Sequence, residues 1–139
     1  DVVKSGKPLS DDELEYIYLN KTSALLECAM TIGAALAGAS DEELDKINQV
    51  ATCVGMAFQV QDDILDIVGD EAVIGKPVLS DETNQRYTYV TIHGMEESVQ
   101  YVNNMSDKAN NILKSLKVKN EDAKNALMEL IVELIDRDR

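Results

Sequence analysis

The chain of 139 residues has no tryptophan, and aromatic residues make up only 4% of it. Since β-sheets are enriched in aromatic and β-branched side chains, this shortage disfavours a sheet protein. Small and aliphatic residues supply most of the 45% hydrophobic content, a composition that favours closely packed helices. A chain of this length can bury the core of one domain.

Cysteine and histidine are also scarce, with two and one copies. Cys28 and Cys53 lie in apolar, helix-like surroundings without a CxxC spacing, so we expect two buried thiols. His93 cannot complete a zinc site with them. Neither a secretion signal nor an apolar run of about 18 residues occurs. We therefore predict a cytoplasmic protein without stable membrane insertion.

Basic residues are half as frequent as acidic ones, 13 against 26, which gives a net charge of −13. Nucleic acids and anionic membranes require a basic surface, so this balance argues against both as partners. An acidic protein that handles an anionic substrate needs metal ions or a local group of cations.

Two long helices are predicted from capping boxes. Ser10–Glu13 begins a helix that extends to about residue 37 and stops at Gly38, and Ser40–Glu43 begins a second that ends near Gly69. The second half of the first helix is rich in Ala and Gly, so we expect a close approach by a neighbouring helix there.

The remainder of the chain is predicted to be a long loop followed by helices. Residues 69–86 contain Gly, Pro, Ser and Asn, and irregular segments of this length are more often functional than not. Residues 87–92 have β-type composition but no partner strand, and we assign them to a short helix or loop. Amphipathic helices are predicted over 95–116 and 120–136. The fold class is all-α.

Three aspartates stand in an apolar helical run. Asp62 and Asp66 lie one turn apart on one side, Asp63 lies about 100° round from Asp62, and Gln59 shares the Asp62 stripe. Like charges at this spacing cost an isolated helix about 0.2–0.5 kcal/mol, so a cation is expected to bind there. Mg²⁺ takes one or two carboxylates together with waters and phosphates. A solvated helix end would also fit this pattern.

Several segments in order resemble one known family. They are Asn20–Leu25, Ala57–Asp66, Gly69–Pro77, Ser80–Glu82 and Tyr89–Thr91. The set resembles the C-terminal half of the trans-isoprenyl diphosphate synthases, the polyprenyl synthase family, and most closely the bacterial farnesyl and geranylgeranyl diphosphate synthases. The resemblance implies an isoprenoid-synthase helical bundle, with residues 1–139 as the C-terminal half of one domain and the N-terminal half absent.

The resemblance implies an Mg²⁺-dependent prenyltransferase that condenses isopentenyl diphosphate with an allylic diphosphate. The implied metal-binding residues, with Asp62 as the direct ligand and the others holding metal-bound waters, are Asp62, Asp63, Asp66 and Asp81. The implied substrate-binding residues are Lys21, Thr22, Phe58, Gln59, Lys76 and Arg86. Of these, the implied catalytic residues are Lys21, Thr22, Gln59 and Lys76. Phe58 fits the core as well as the cavity wall.

Two departures from the family pattern leave an alternative open. Leu79 stands where the family has Gly, and Arg86 stands in place of a lysine, with a forked geometry that differs from it. A non-catalytic regulatory subunit of a prenyl diphosphate synthase is the alternative, and a purely structural acidic bundle is a weaker one. A homodimer is expected from the family alone. The family's first aspartate-rich motif is absent, so we expect this chain alone to be inactive.

Overall fold

A computed structural model of the chain describes residues 9–74 and 87–135. The regular secondary structure in these ranges is entirely helical, which confirms the predicted all-α class. The elements are α1 (Asp11–Tyr18), a π-helical segment (Leu19–Ser23), α2 (Ala24–Leu36), α3 (Asp41–Ile74), α4 (Tyr89–His93), α5 (Met95–Ser115) and α6 (Glu121–Ile135).

Both predicted capping boxes are confirmed. The Glu13 N–H donates to Ser10 Oγ at 3.3 Å, and the Ser10 N–H donates to Glu13 Oε2 at 3.1 Å. Ser40 and Glu43 repeat the pattern at 3.4 and 2.8 Å. These bonds satisfy N–H groups that the first helical turn leaves unpaired. A further box at residues 88–91 starts α4, with a threonine hydroxyl in place of the usual glutamate.

The end of α2 is also as predicted. Gly38 has a φ of +83°, a conformation that glycine adopts without strain. The Gly38 N–H donates to the Ala35 carbonyl and the Ala39 N–H to the Ala34 carbonyl, both at 3.0 Å. This pair of bonds is the Schellman motif, which satisfies the last carbonyl groups of a helix.

The other helix boundaries agree with prediction except at the end of α3. Helices α5 and α6 begin and end within one residue of the predicted limits, and residues 89–93 form a short helix. Helix α3 continues through Gly69 to Ile74, so the predicted loop start at Gly69 is wrong. A single glycine costs a helix only about 1 kcal/mol, which neighbouring helical residues can offset. The rest of the predicted loop, residues 75–86, lies outside the described residues.

Helix α3 forms the centre of the bundle and contacts every other described helical element. Its side chains at Val50, Ala51, Val54, Ala57 and Val60 are at most 1% exposed. Helix α5 packs along it with further buried aliphatic residues. Such burial of apolar area stabilises the fold and fixes the rotation of α3 about its axis.

The α1–π–α2 run lies antiparallel to α3. Four successive contacts join the two, and as residue numbers rise in one they fall in the other. The contacting pairs are Tyr18–Asp63, Ser23–Gly55, Glu27–Thr52 and Thr31–Asn48. This register places residues 21 and 22 at about the level of Gln59.

Helix α2 exposes an apolar face, and the predicted burial of Cys28 on it is wrong. No α2 residue is buried, and Leu36 is 85% exposed. Cys28 is exposed rather than buried, whereas Cys53 is buried as predicted. No described atom lies within 4 Å of a Cβ placed on Gly33, so the expected close helix contact is not made there. The polar residues Glu27 and Thr31 lie on the side of α2 that contacts α3, so the usual rule that the apolar side of a helix packs does not identify the packed side here.

The close helix contact lies instead at Gly55 of α3. A Cβ at this position would lie 2.6 Å from the Ser23 Cα and closer still to the Ser23 hydroxyl oxygen. Only glycine permits this separation of the two backbones. None of the helices in the described ranges combines the length and apolar character needed to cross a bilayer.

Replacing Gly55 by Ala should destabilise the fold. The added methyl group meets backbone, so we expect an overpacking cost of about 1–3 kcal/mol, which outweighs the roughly 1 kcal/mol that Ala gains over Gly in a helix. Urea unfolding of the chain measures the difference. Gly33→Ala is the matched control and should gain about 0.5–1 kcal/mol, because its methyl group enters open space. Equal stabilisation by both substitutions would contradict the close contact.

Candidate functional site

Lys21 and Thr22 lie in the π-helical segment, Leu19–Ser23. The Ala24 N–H donates to the Leu19 carbonyl, five residues earlier, so this turn contains one residue more than a regular helical turn. Lys21 is exposed and Thr22 is half-buried. Short π-helical insertions in α-helices occur frequently at functional sites.

Ser23 fixes this segment against α3. It is 0% exposed, and its hydroxyl donates to the Tyr18 carbonyl at 3.5 Å. Its Cα and side chain lie directly over Gly55. The segment is therefore held at both ends, by Ser23 on Gly55 and by Tyr18 on Asp63.

The polar stripe on α3 runs from the interior toward the surface. Gln59 is buried and only 5% exposed, whereas Asp62 and Asp66 are half-buried. Phe58, beside Gln59, is half-buried as well. The stripe ends in carboxylates that water can reach, at the level of the π-helical segment.

Asp63 points to different partners. The Tyr18 hydroxyl donates to Asp63 Oδ2, and the backbone N–H of Tyr89 donates to the same oxygen at 3.2 Å. Burial raises the pKa of Asp63, the two hydrogen bonds partly offset that rise, and the charges of Asp66 and Asp62 add to it. Burial also raises the pKa of Tyr18, and the carboxylate of Asp63 raises it further.

The ring of Tyr89, whose N–H binds Asp63, packs against two other rings. The ring centroid of Tyr89 lies 4.7 Å from that of Tyr101 and 4.3 Å from that of His93. Burial raises the pKa of Tyr101 to about 12. His93 Nε2 lies 3.3 Å from Asp11 and Nδ1 lies 3.8 Å from Glu97, so this imidazole joins α1, α4 and α5. His93 thus helps to hold the three helices together.

The donor set suits a hard divalent cation. In the described part of the chain, no three His, Cys, Asp or Glu side chains converge to hold a metal ion by themselves. Mg²⁺ does not require such a cage, because it commonly binds one or two carboxylates and completes its shell with water and substrate phosphate. Asp62 and Asp66 fit this requirement. Asp81, Lys76, Arg86 and Leu79 lie outside the described residues.

An apolar groove of about 610 Å³ lies elsewhere in the bundle. The ends of α2 and α5 and the starts of α3 and α6 form it, and its lining includes Met30, Ile47, Leu116 and Leu127. Helix α3 begins at this groove and reaches Asp62 some 30 Å further on. None of the described site residues lines the groove.

Sequence reasoning missed four residues that shape the site, namely Tyr18, Ser23, Gly55 and Tyr89. Gly55 had a usable signal, since a glycine inside a long helix costs stability and often marks close packing. Tyr18 and Tyr89 had none, because their partners are 45 and 26 residues away along the chain.

Two solved structures share this helical arrangement. A protein from Marinomonas sp. MED121 that is assigned as a farnesyl-diphosphate synthase matches with a TM-score of 0.74 and 27% identity. The match covers 94% of this chain and 42% of the Marinomonas chain. A farnesyl/geranylfarnesyl diphosphate synthase from Zymomonas mobilis matches at a TM-score of 0.76 and 19% identity, over 94% and 40% of the two chains, which supports the fold alone. The described helices thus have the fold of the isoprenyl diphosphate synthases.

Sequence comparison gives the family. Residues 2–131 match the family model described as polyprenyl synthetase, and the chain belongs to that family. The farnesyl diphosphate synthase of Micrococcus luteus is 33% identical over 139 residues, 100% of this chain and 46% of that protein. Large subunit 1 of the chloroplastic heterodimeric geranylgeranyl pyrophosphate synthase of Arabidopsis thaliana is 37% identical over 112 residues, 78% and 30% of the two chains. The chain spans less than half the length of these relatives.

Asp63→Asn should change how stability depends on pH. The raised pKa means that folded Asp63 holds its proton more tightly than the unfolded chain, where the pKa is about 3.8. Protonated Asp63 therefore stabilises the fold below about pH 4, and this contribution is lost as pH rises through the folded-state pKa. Asparagine has no such proton, so the wild type should lose stability relative to the variant as pH rises.

Urea unfolding between pH 4 and pH 8, without divalent metal, measures that difference. Asp45→Asn, at an exposed position of the same helix, is the control for removing one charge from α3. If the wild type instead became more stable relative to Asp63→Asn as pH rises, burial would not be the dominant effect on the pKa of Asp63.

Proposed function

We propose that the chain is the C-terminal half of an Mg²⁺-dependent trans-prenyltransferase. The reaction is condensation of isopentenyl diphosphate with an allylic diphosphate, to give geranyl, farnesyl or geranylgeranyl diphosphate. The observation that carries this proposal is the antiparallel register of the π-helical segment and α3, which brings Lys21 and Thr22 to the level of Gln59, one turn from Asp62. The family and the names of its farnesyl and geranylgeranyl diphosphate synthases support it.

The metal is proposed to bind at the exposed end of the polar stripe. Asp62 is the direct ligand, and Asp66 and Asp81 hold metal-bound waters. The family pattern by itself implies the same water-holding role for Asp63. When bound, Mg²⁺ supplies positive charge to the departing diphosphate. Like charges one turn apart on a helix repel, so a cation bound at Asp62 and Asp66 also lowers the repulsion between them.

The basic residues are proposed to hold the allylic diphosphate. In a chain with a net charge of −13, an anionic substrate needs local cations, and Lys21 is exposed on the π-helical segment, which packs against α3. Lys76 and Arg86 are the further basic residues assigned to this role. An ammonium or guanidinium group next to a phosphate forms short charge-assisted hydrogen bonds.

Charge moves in a defined direction during the proposed reaction. The carbon–oxygen bond of the allylic diphosphate breaks, and its electron pair leaves with the diphosphate, where Lys21 and Lys76 stabilise the added charge. The remaining allylic cation is attacked by the double bond of isopentenyl diphosphate, and a proton is then lost. The oxygens of Thr22 and Gln59 face the developing cation in this proposal, and Phe58 lines the pocket that excludes water.

The quaternary state and the cellular location are also proposals. A homodimer is proposed from the family resemblance, and a cytoplasmic location from the cysteine usage and the lack of a long apolar run. Activity is proposed to require the N-terminal half of the domain. A non-catalytic subunit is the second candidate, because Leu79 and Arg86 depart from the family pattern in the proposed phosphate-binding stretch.

Asp62→Ala in the full-length protein should lower kcat by at least about 100-fold, because it removes the direct metal ligand. Condensation of labelled isopentenyl diphosphate with dimethylallyl, geranyl or farnesyl diphosphate in the presence of Mg²⁺ measures the rate. Asp45→Ala is the matched control, an exposed aspartate of the same helix about 25 Å away, and should remain near the wild-type rate.

Two outcomes would count against this function. Asp62→Ala activity within about threefold of wild type would exclude the ligand role. Absence of condensation by the wild type with every primer would favour the non-catalytic subunit.

A further inference from the structure

One carboxylate joins three separate parts of the chain. Asp63 Oδ2 accepts hydrogen bonds from the Tyr18 hydroxyl and from the backbone N–H of Tyr89, the latter at 3.2 Å. The same N–H lies 3.1 Å from the Tyr18 hydroxyl oxygen. Each of the three groups thus lies within hydrogen-bond distance of the other two.

Each partner of Asp63 adjoins a residue of the proposed site. Tyr18 is the last residue of α1, and the π-helical segment with Lys21 and Thr22 follows it directly. Tyr89 is the first residue of α4, three positions after Arg86. The carboxylate therefore ties α3 to both flanking stretches.

The contact also fixes the rotation of α3 near the metal-binding aspartates. Asp63 lies about 100° round the helix from Asp62 and about 60° from Asp66, so an Asp63 held against Tyr18 fixes the direction in which the other two carboxylates point. Tyr18 is 6% exposed and belongs to the hydrophobic core, which leaves its hydroxyl little freedom to move. Desolvated polar groups of this kind need their hydrogen bonds to be satisfied.

We propose that Asp63 and Tyr18 are positioning residues, which set the separation of the Lys21–Thr22 segment from Asp62 and Asp66, and that Asp63 does not hold a metal-bound water. The proposal rests on the proposed function. The neighbouring aspartates then have different roles. Asp62 and Asp66 bind the metal or its waters, and Asp63 holds α1 and α4 in position on α3. Ser23 on Gly55 is the second fixed point of the same segment.

A double-mutant cycle in the full-length protein tests this assignment. Tyr18→Phe, Asp63→Asn and the double variant are compared for kcat and for the Mg²⁺ concentration that gives half-maximal rate. Both single variants should lower kcat by about 10- to 100-fold without changing the Mg²⁺ requirement, because a slight misplacement of catalytic groups costs rate. The double variant should be within about twofold of the slower single variant, because both substitutions act on the same hydrogen bond.

Two controls accompany the cycle. Tyr16→Phe removes a hydroxyl from a side chain that is 67% exposed on the same helix and should leave kcat unchanged. Asp62→Asn should raise the Mg²⁺ requirement, which identifies the response of a true ligand. Circular dichroism and thermal melting give the folded fraction of each variant. Asparagine at position 63 replaces a charged acceptor by a neutral amide, which weakens the hydrogen bond from Tyr18. The half-maximal Mg²⁺ concentration does not depend on the folded fraction, so it still separates the two roles if Tyr18→Phe folds poorly.

The outcomes separate the two proposals. An Asp63→Asn variant that needs at least about tenfold more Mg²⁺, beside a Tyr18→Phe variant that behaves as wild type, would overturn the positioning role. Additive effects of the two substitutions would overturn it as well. A wild type without condensation activity would refute the proposed function, and this inference with it.

Discussion

The contact of Ser23 with the Cα of Gly55 is the constraint on which the rest of the structure depends. It brings two helical backbones closer than any side chain larger than hydrogen would allow at Gly55. From this point, paired contacts in both directions hold the α1–π–α2 run antiparallel to α3. The segment that carries Lys21 and the helix that carries Asp62 are thereby packed together, although the two residues are 41 positions apart along the chain.

Most helix boundaries could be predicted because they depend on local hydrogen bonds. Ser10 and Ser40 cap their helices through residues three positions away, and Gly38 ends α2 through its own positive φ. Gly69 misled the prediction because a helix already supported by packing and hydrogen bonding can continue through one glycine. The packed side of α2 could not be predicted, since its polar residues Glu27 and Thr31 contact α3 while apolar residues such as Leu36 are exposed, the reverse of the usual pattern.

The residue types and spacing of the site were visible in the sequence, but the distinct contacts of Asp63 were not. Periodicity turns Asp63 about 100° from Asp62 and about 60° from Asp66, yet nothing local identifies Tyr18 and the Tyr89 N–H as its partners. Nor does the sequence indicate the π-helical turn, which depends on how Ser23 fits against Gly55. Such features follow from tertiary packing, which overrides the intrinsic preference of a short segment.

We propose that a divalent cation and a diphosphate bind together where the polar stripe of α3 meets the π-helical segment. A crystal structure of the full-length protein grown with Mn²⁺ and inorganic pyrophosphate tests it most directly, because Mn²⁺ is located by its anomalous scattering. The account predicts an anomalous peak about 2.0–2.3 Å from an Asp62 carboxylate oxygen, with a pyrophosphate oxygen in the same coordination shell. A structure in which Mn²⁺ and pyrophosphate bind only elsewhere, with Asp62 in contact with neither, would contradict it.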